Sequence, residues 1–150
     1  MASNSRLAIA VHTAGIIALG GCEPVSSEMI ARSAGTNPVV VRRIVGLLVK
    51  GGLAKVRKGT GGGAYLLRPA EKITLAEIYL ALEEDELFQV PELGSDHECP
   101  VGKEVRPVLE ELFRGAEEAM VNHLAGLSLQ DVISIVLSKL PAECRPENNG

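Results

Sequence analysis

The sequence predicts a mainly α protein with a small β-hairpin wing: a winged helix-turn-helix head followed by a long C-terminal helix. Three observations predict it. Residues 36–69 read TNPVVVRRIVGLLVKGGLAKVRKGTGGGAYLLRP, an amphipathic helix that runs at once into two short strands around a glycine tip. A shorter helix precedes this one with about two residues between them, the spacing of a helix-turn-helix. Beyond the hairpin, residues 101–125 repeat apolar side chains at helical spacing.

Taken in order, residues 5–19 form the first helix, with Leu7, Ala10, Val11, Ala14 and Ala18 on one side. Gly20 and Gly21 stop it, and Cys22-Glu23-Pro24 makes a turn. Ser26 caps a second helix that runs to Ala34, with Val25 and Ile30 spaced as a hydrophobic staple and Gly35 closing it. Asn37 is an N-cap, and Pro38 suits the first helical position, where its missing N–H costs nothing. Val41, Ile44, Val45 and Leu48 then recur at the spacing of one buried face, which turns Arg42 and Arg43 outward. Gly51 and Gly52 end this helix, because glycine takes the left-handed conformation without a Cβ penalty. Residues 53–57 read as a basic strand, 59–63 as a turn, and 64–67 as the returning strand.

Thr74 and Glu77 make a capping box, with Ile73 and Ile78 as its staple, for a short helix over 75–82 that returns Ile78 and Leu82 to the core. Residues 83–96 are acidic and carry Pro91, Gly94 and Ser95, a loop. In the long helix, Val105, Leu109, Leu112, Ala116, Ala119, Met120 and Leu124 line up, and Pro107 near its start predicts a kink or a late beginning. A long helix that leaves a small head with one apolar side is expected to bury that side in a second copy of the chain. Val105, Leu109, Leu112, Ala116, Met120 and Leu124 are the expected dimer interface. Ser128 caps a closing helix with Leu129, Val132, Ile133, Val136 and Leu140 on one face. The expected organisation is a head over 1–82, an acidic linker over 83–100, dimerisation helices over 101–140 and a disordered tail over 141–150.

Composition narrows the function. With 46% hydrophobic and 23% charged residues the chain reads as an ordinary globular protein. No apolar run approaches a membrane span of about 18–20 residues, no signal peptide opens the chain, and three widely spaced cysteines do not make a disulfide framework. A cytoplasmic protein with no membrane partner is expected. The net charge of −4 hides a segregation: residues 1–72 carry ten Lys/Arg against three acids, and residues 73–150 carry five against sixteen. A basic head joined to an acidic remainder suggests one surface for a polyanion.

In a helix-turn-helix the second helix enters the major groove of a DNA duplex with its N-terminal residues leading. Arg42 and Arg43 stand there, and arginine's planar fork can bond guanine O6 and N7 together. Val39 and Val40 lean outward, toward a thymine methyl or into core packing. Ser26, Ser27 and Asn37 sit at helix starts, where side chains and free N–H groups can hold phosphate as well as cap. Lys55, Arg57, Lys58 and Arg68 flank the tip formed by Gly59, Thr60, Gly61, Gly62 and Gly63, which is slim enough for a minor groove. The glycine run is no nucleotide-hydrolase loop, since no Gly-Lys-Ser/Thr follows, and no dinucleotide fingerprint, since a strand follows it. No acid/base pair, nucleophile set or metal set points to an enzyme.

These strings resemble the Rrf-two family of bacterial winged-helix transcription regulators. The residues that carry the resemblance are SSEMIARSAGTNPVVVRRIVGLLVKGGLAKVRKGTGGGAYLLRP, then KITLAEIYLALE, then HECPVG, and TNPVVVRRI with CPVG is most similar to the YwnA-type branch. The resemblance covers residues 5–140 and implies homodimers, crossed through the long helix, on near-palindromic operators. It implies Val39, Arg42 and Arg43 at the groove and residues 59–62 at the wing. Iron–sulfur sensors of this family place three cysteines before the dimer helix, whereas residues 85–102 here hold only Cys99. One thiolate is too few for the usual cluster, so no cofactor is expected. His97 with Cys99 supplies two ligands, which do not make a metal site. The wing reads Gly-Gly-Ala-Tyr where the commoner family pattern is Gly-Gly-Tyr, which leaves the register of the returning strand open. Cys22 and Cys99 are candidate residues for a thiol redox switch or inert small side chains. The expected function is a homodimeric, sequence-specific DNA-binding regulator acting as a repressor. The alternative is an interaction protein that keeps the fold and holds a partner or small ligand on its acidic half.

Overall fold

Helix–helix packing builds most of the molecule, and one hairpin is pinned to its side. In the computed structural model, residues 3–82, 87–92 and 99–145 are described. The chain runs α1 (Ser3–Leu19), α2 (Ser27–Ala34), α3 (Pro38–Lys50), β1 (Ala54–Arg57), β2 (Gly63–Leu66), α4 (Leu75–Ala81), α5 (Pro100–Ala125) and α6 (Leu129–Lys139). Short 3-10 turns occupy Ala70–Lys72 and Ala142–Cys144. Most of the acidic linker (83–86 and 93–98, with His97) and the last five residues, 146–150, lie outside the described residues.

Two adjoining apolar clusters form the core. One gathers Ala10, Ala14, Ile44, Leu48, Leu53, Ile73, Ile78, Leu82, Leu129 and Ile133, and the other Ile17, Val25, Ile30, Val41, Val45 and Ala64. The stripe expected on α3 is the stripe that is buried: Val41, Ile44, Val45 and Leu48. Full burial of each such side chain stabilises the fold by about 1.5–3 kcal/mol. Caps set the helix starts. The Asn37 side chain accepts from the Val40 N–H at 3.1 Å, and Thr74 and Glu77 form the expected capping box. Ser128 heads a second box with Asp131. At the end of α3 it is Gly52, φ 75°, that takes the left-handed conformation, while Gly51 stays right-handed. Gly51 serves packing instead: a Cβ there would stand 2.7 Å from the Ala81 Cβ on α4.

Several expectations change. The face of α1 is rotated: Ala10, Thr13, Ala14 and Ile17 are buried, and Leu7, Val11 and Ala18 are only partly covered. The helix is apolar nearly all round, so periodicity alone did not settle its register. The Thr13 hydroxyl is fully buried and has no hydrogen-bond partner among the described residues. Pro107 neither delays nor breaks α5, which is continuous from Pro100. Proline's missing N–H leaves one carbonyl a turn earlier without its helical partner, and Pro107 lies on an exposed face where water can serve it. The tail is not wholly irregular, since the turn at Ala142–Cys144 is held by the Arg145 guanidinium, which donates to the Leu140 carbonyl at 3.3 Å.

The hairpin closes with Ala54 opposite Leu66, Lys55 opposite Tyr65, Val56 opposite Ala64 and Arg57 opposite Gly63. This settles the register left open by the sequence, starts β1 one residue later than expected and moves β2 one residue earlier. A second short bridge joins Thr74 to Ser128, with the Leu75 N–H donating to the Leu127 carbonyl at 2.9 Å and the Leu129 N–H to the Ile73 carbonyl at 2.8 Å. Through it α6, expected among the dimerisation helices, packs into the core of the head, with Leu129 fully buried.

Candidate nucleic-acid interface

Three pieces make the surface: the start of α2, the start of α3 and the hairpin tip. Gly35, φ 63°, ends α2, and the Thr36 N–H returns to the Ala31 carbonyl at 3.0 Å. Only residues 35–37 then separate α2 from α3, so the turn is tight and the two helices pack directly. At the start of α2, the Ser26 hydroxyl accepts from the Met29 N–H at 3.3 Å. Ser26 and Asn37 are thus both engaged as caps, and Ser27, next in line after Ser26, is half-buried.

On α3, Val39 is 67% exposed and points out, whereas Val40 is partly covered and packs against the core. Of the two readings of Val40, core packing holds. Arg42 and Arg43 both stand exposed beside it. Arg42 donates from Nη2 to the Glu28 carboxylate on α2, an ion pair between the two helices of the motif. Arg43 has no ion pair among the described residues.

The hairpin is fixed to this surface by one residue. Val25 exchanges both backbone hydrogen bonds with Ala64, each 2.9 Å, and so adds a one-residue third strand immediately before the Ser26 cap. The bridge ties the wing to the start of α2. Lys55, Arg57, Lys58 and Thr60 are exposed. Gly59 and Gly61 take positive φ, 92° and 72°, and the Gly62 N–H donates to the Gly59 carbonyl at 3.0 Å. A Cβ at Gly62 would stand 2.2 Å from the Arg57 carbonyl oxygen, so the tip closes only with glycine. Arg68, grouped with the wing by the sequence, is turned to α4 instead. It donates to Glu77 at 2.6 Å and to the Lys72 carbonyl at 3.1 Å. Glu77 is held below the usual carboxylate range, first by the Thr74 backbone N–H and then by Arg68.

Sequence reasoning missed Glu28 and Val25 as parts of this surface. Their partners lie far along the chain, and no periodicity marks a single bridging residue.

The long helix offers a different surface. No residue of α5 is fully buried, and Val101, Val108 and Leu112 are 73%, 51% and 62% exposed. Of the residues expected at a dimer interface, Leu112 and Ala116 are exposed and Val105, Leu109 and Met120 half-covered. Leu124 instead packs against the core of its own head. The Tyr79 hydroxyl donates to Glu117 at 2.7 Å and fastens α5 to α4. Phe88 meets Phe113 at 5.2 Å between ring centres, and Arg106 pairs with Glu92 and Glu110, so residues 87–92 lie along α5.

The model of Rrf2, described as an iron-dependent transcriptional regulator, matches residues 3–135. The chain belongs to the Rrf2 family. It is 44% identical over 132 residues to YwnA of Bacillus subtilis (strain 168), designated a candidate HTH-type transcriptional regulator, with 87% of this chain and 96% of that one covered. A crystal structure described as a candidate DNA-binding protein is 39% identical at a TM-score of 0.68, covering 85% of this chain and 98% of that one. T. potens IscR shares the fold at 20% identity and a TM-score of 0.68, covering 95% and 93%. Members of the Rrf2 family are transcriptional regulators, not enzymes.

The family description raises iron, and the donor set decides whether it fits. Clusters are held by several thiolates. Cys22, Cys99 and Cys144 are each exposed and free, and among the described residues no three His, Cys, Asp or Glu side chains converge. Cys99 is the N-cap residue of α5, without a side-chain capping bond. These donors, among the described residues, do not fit an iron–sulfur cluster. No helix among the described residues is long and apolar enough to cross a membrane.

Proposed function

We propose that this Rrf2-family regulator is a homodimeric, sequence-specific DNA-binding protein that represses by occupying its operator. The observation that carries the proposal is the exposed N-terminal half of α3, with Val39, Arg42 and Arg43 outward, held beside a basic wing by the Val25–Ala64 bridge. In this reading Arg42 and Arg43 meet base edges in the major groove. Arg57 and Lys58 neutralise phosphates, and Gly59, Thr60, Gly61 and Gly62 enter the adjacent minor groove. Ser26, Ser27 and Asn37 set the two helix starts against phosphate while the first and last act as caps. In this reading the protein acts in the cytoplasm, where a bacterial chromosome lies.

The dimer is supported by α5, whose exposed Val101, Val108 and Leu112 form a stripe completed by Val105 and Leu109, with small residues Gly115, Ala116 and Ala119 further along. Two copies crossed there carry two heads, and a twofold operator matches them. Cys22 and Cys99, both exposed, open the regulator to thiol chemistry. Peptide mapping without reductant after mild peroxide tests that part: no modified or linked peptide at either residue removes it.

Hydroxyl-radical footprinting on a duplex selected from a random library tests the main reading. Two protected patches related by a twofold, one helical turn or a multiple of it apart (about 10 bp each), are expected. A single patch, or uniform weak protection, would overturn it.

A further inference from the structure

The Arg42–Glu28 pair sets a question that the DNA reading leaves open, namely what fixes the aim of Arg42. We infer that Glu28 is a positioning residue for Arg42, and that it is a determinant of sequence specificity rather than of overall affinity. The inference rests on the proposed DNA readout by α3.

The geometry carries it. Glu28 lies in the first turn of α2 and Arg42 in the first half of α3, fourteen residues apart, and the contact spans the two helices of the motif. One carboxylate oxygen takes one N–H group, from Nη2. Guanidinium carries several more donors in one plane, so the remainder of the fork stays available to a base edge while Glu28 holds its plane. Both side chains are more than half exposed, 56% and 59%, so the pair faces outward with the reading surface rather than stapling the core.

Electrostatics argues that the pair persists on DNA. Were Arg42 to leave Glu28 for a base, a bare carboxylate would remain beside the phosphates, a repulsion that the pair avoids. While paired, Arg42 has its charge largely neutralised and is a poor binder of phosphate at arbitrary positions. It gains from DNA chiefly where a guanine presents O6 and N7 to the oriented fork. Arg43 beside it has no such holder among the described residues and keeps its full charge for phosphate or base.

Two consequences separate this from a merely repulsive or merely structural Glu28. Loss of the carboxylate should loosen Arg42, so that the ordering of a long side chain falls to the DNA complex. It should also release a charge that can reach any phosphate. The first weakens the selected duplex, and the second strengthens unrelated ones.

The experiment measures binding to a duplex selected from a random library by the native protein, and to a scrambled duplex of equal length and composition. Four proteins are compared: native, Glu28→Gln, Arg42→Ala and the double variant. Glu28→Gln should weaken the selected duplex roughly two- to tenfold, the ordering cost of one long side chain. It should leave the scrambled duplex unchanged or tighter and flatten the guanine preference at one position per half-site. With Arg42→Ala already present, the added Glu28→Gln change should not alter the ratio between the two duplexes. A Glu28→Gln protein that tightens both duplexes by one factor, or changes neither, would overturn the inference, as would an equal loss of ratio in the Arg42→Ala background. A native protein that selects no duplex at all would instead overturn the DNA reading, before any variant is compared.

Discussion

Gly63 passes so close to Val25 that a Cβ on the glycine would stand 2.3 Å from the Val25 carbonyl oxygen, at a φ of 152°. The contact is backbone against backbone, so no side-chain movement can relieve it. It also lies next to the paired hydrogen bonds that fasten the wing to the start of α2.

Gly63→Ala should therefore destabilise the protein by roughly 3 kcal/mol or more, through backbone strain and a lost bridge. Gly61→Ala shares a positive φ but meets nothing within 4 Å, and should cost only about 1 kcal/mol. Chemical denaturation of the two variants checks the difference, and equal losses would mean that the bridge at Val25 does not matter.

The capping box at α4 makes a pH prediction. Glu77 is held below its ordinary value by the Thr74 N–H first and Arg68 second. A depressed carboxylate contributes stability that is fully present above the unfolded value of about 4.3 and is lost as pH falls through the lower folded value. Glu77 is partly exposed, which keeps the effect modest. Thermal melts from pH 7 down to pH 3 should fall more shallowly for Glu77→Gln than for the native protein, and parallel curves would contradict it. Thr74→Ala, which removes the cap itself, should cost about 1 kcal/mol at neutral pH.

Assembly is tested on α5. Val108→Glu with Leu112→Glu places two charges on residues already 51% and 62% exposed, so the fold of a single chain should survive. Light scattering should move from the mass of a dimer to that of a monomer, with unchanged helical content. A dimeric double variant would mean that copies meet elsewhere.

Much of this molecule was legible in the sequence because the signals were local. The face of α3 follows from four apolar residues at helical spacing, and the caps at Ser26, Asn37, Thr74 and Ser128 follow from residue type and position. The wing follows from basic residues around a glycine run. What could not be read has a common physical cause, contact between residues distant along the chain. Val25 joins the hairpin through one residue, too short for any alternating pattern. Arg68 looks like a wing cation until α4 supplies Glu77. Glu28 looks like an ordinary first-turn acid, favoured by the helix dipole, until the fold brings Arg42 to it. On α1 the obstacle was different: apolar residues on nearly every side left Ile17 and Thr13 indistinguishable from their neighbours.

Fluorescence anisotropy on labelled duplexes from the upstream region of the protein's own gene, titrated across salt, tests the central claim most directly. It compares the native chain with the Arg42→Ala/Arg43→Ala double variant. The account predicts tight binding of one duplex by the native protein, steeply weakened by salt, and loss of that preference in the variant with residual sequence-blind binding through the wing. Weak binding that is blind to sequence and identical in the two proteins would contradict it, and would return the acidic half of the chain to the centre of attention.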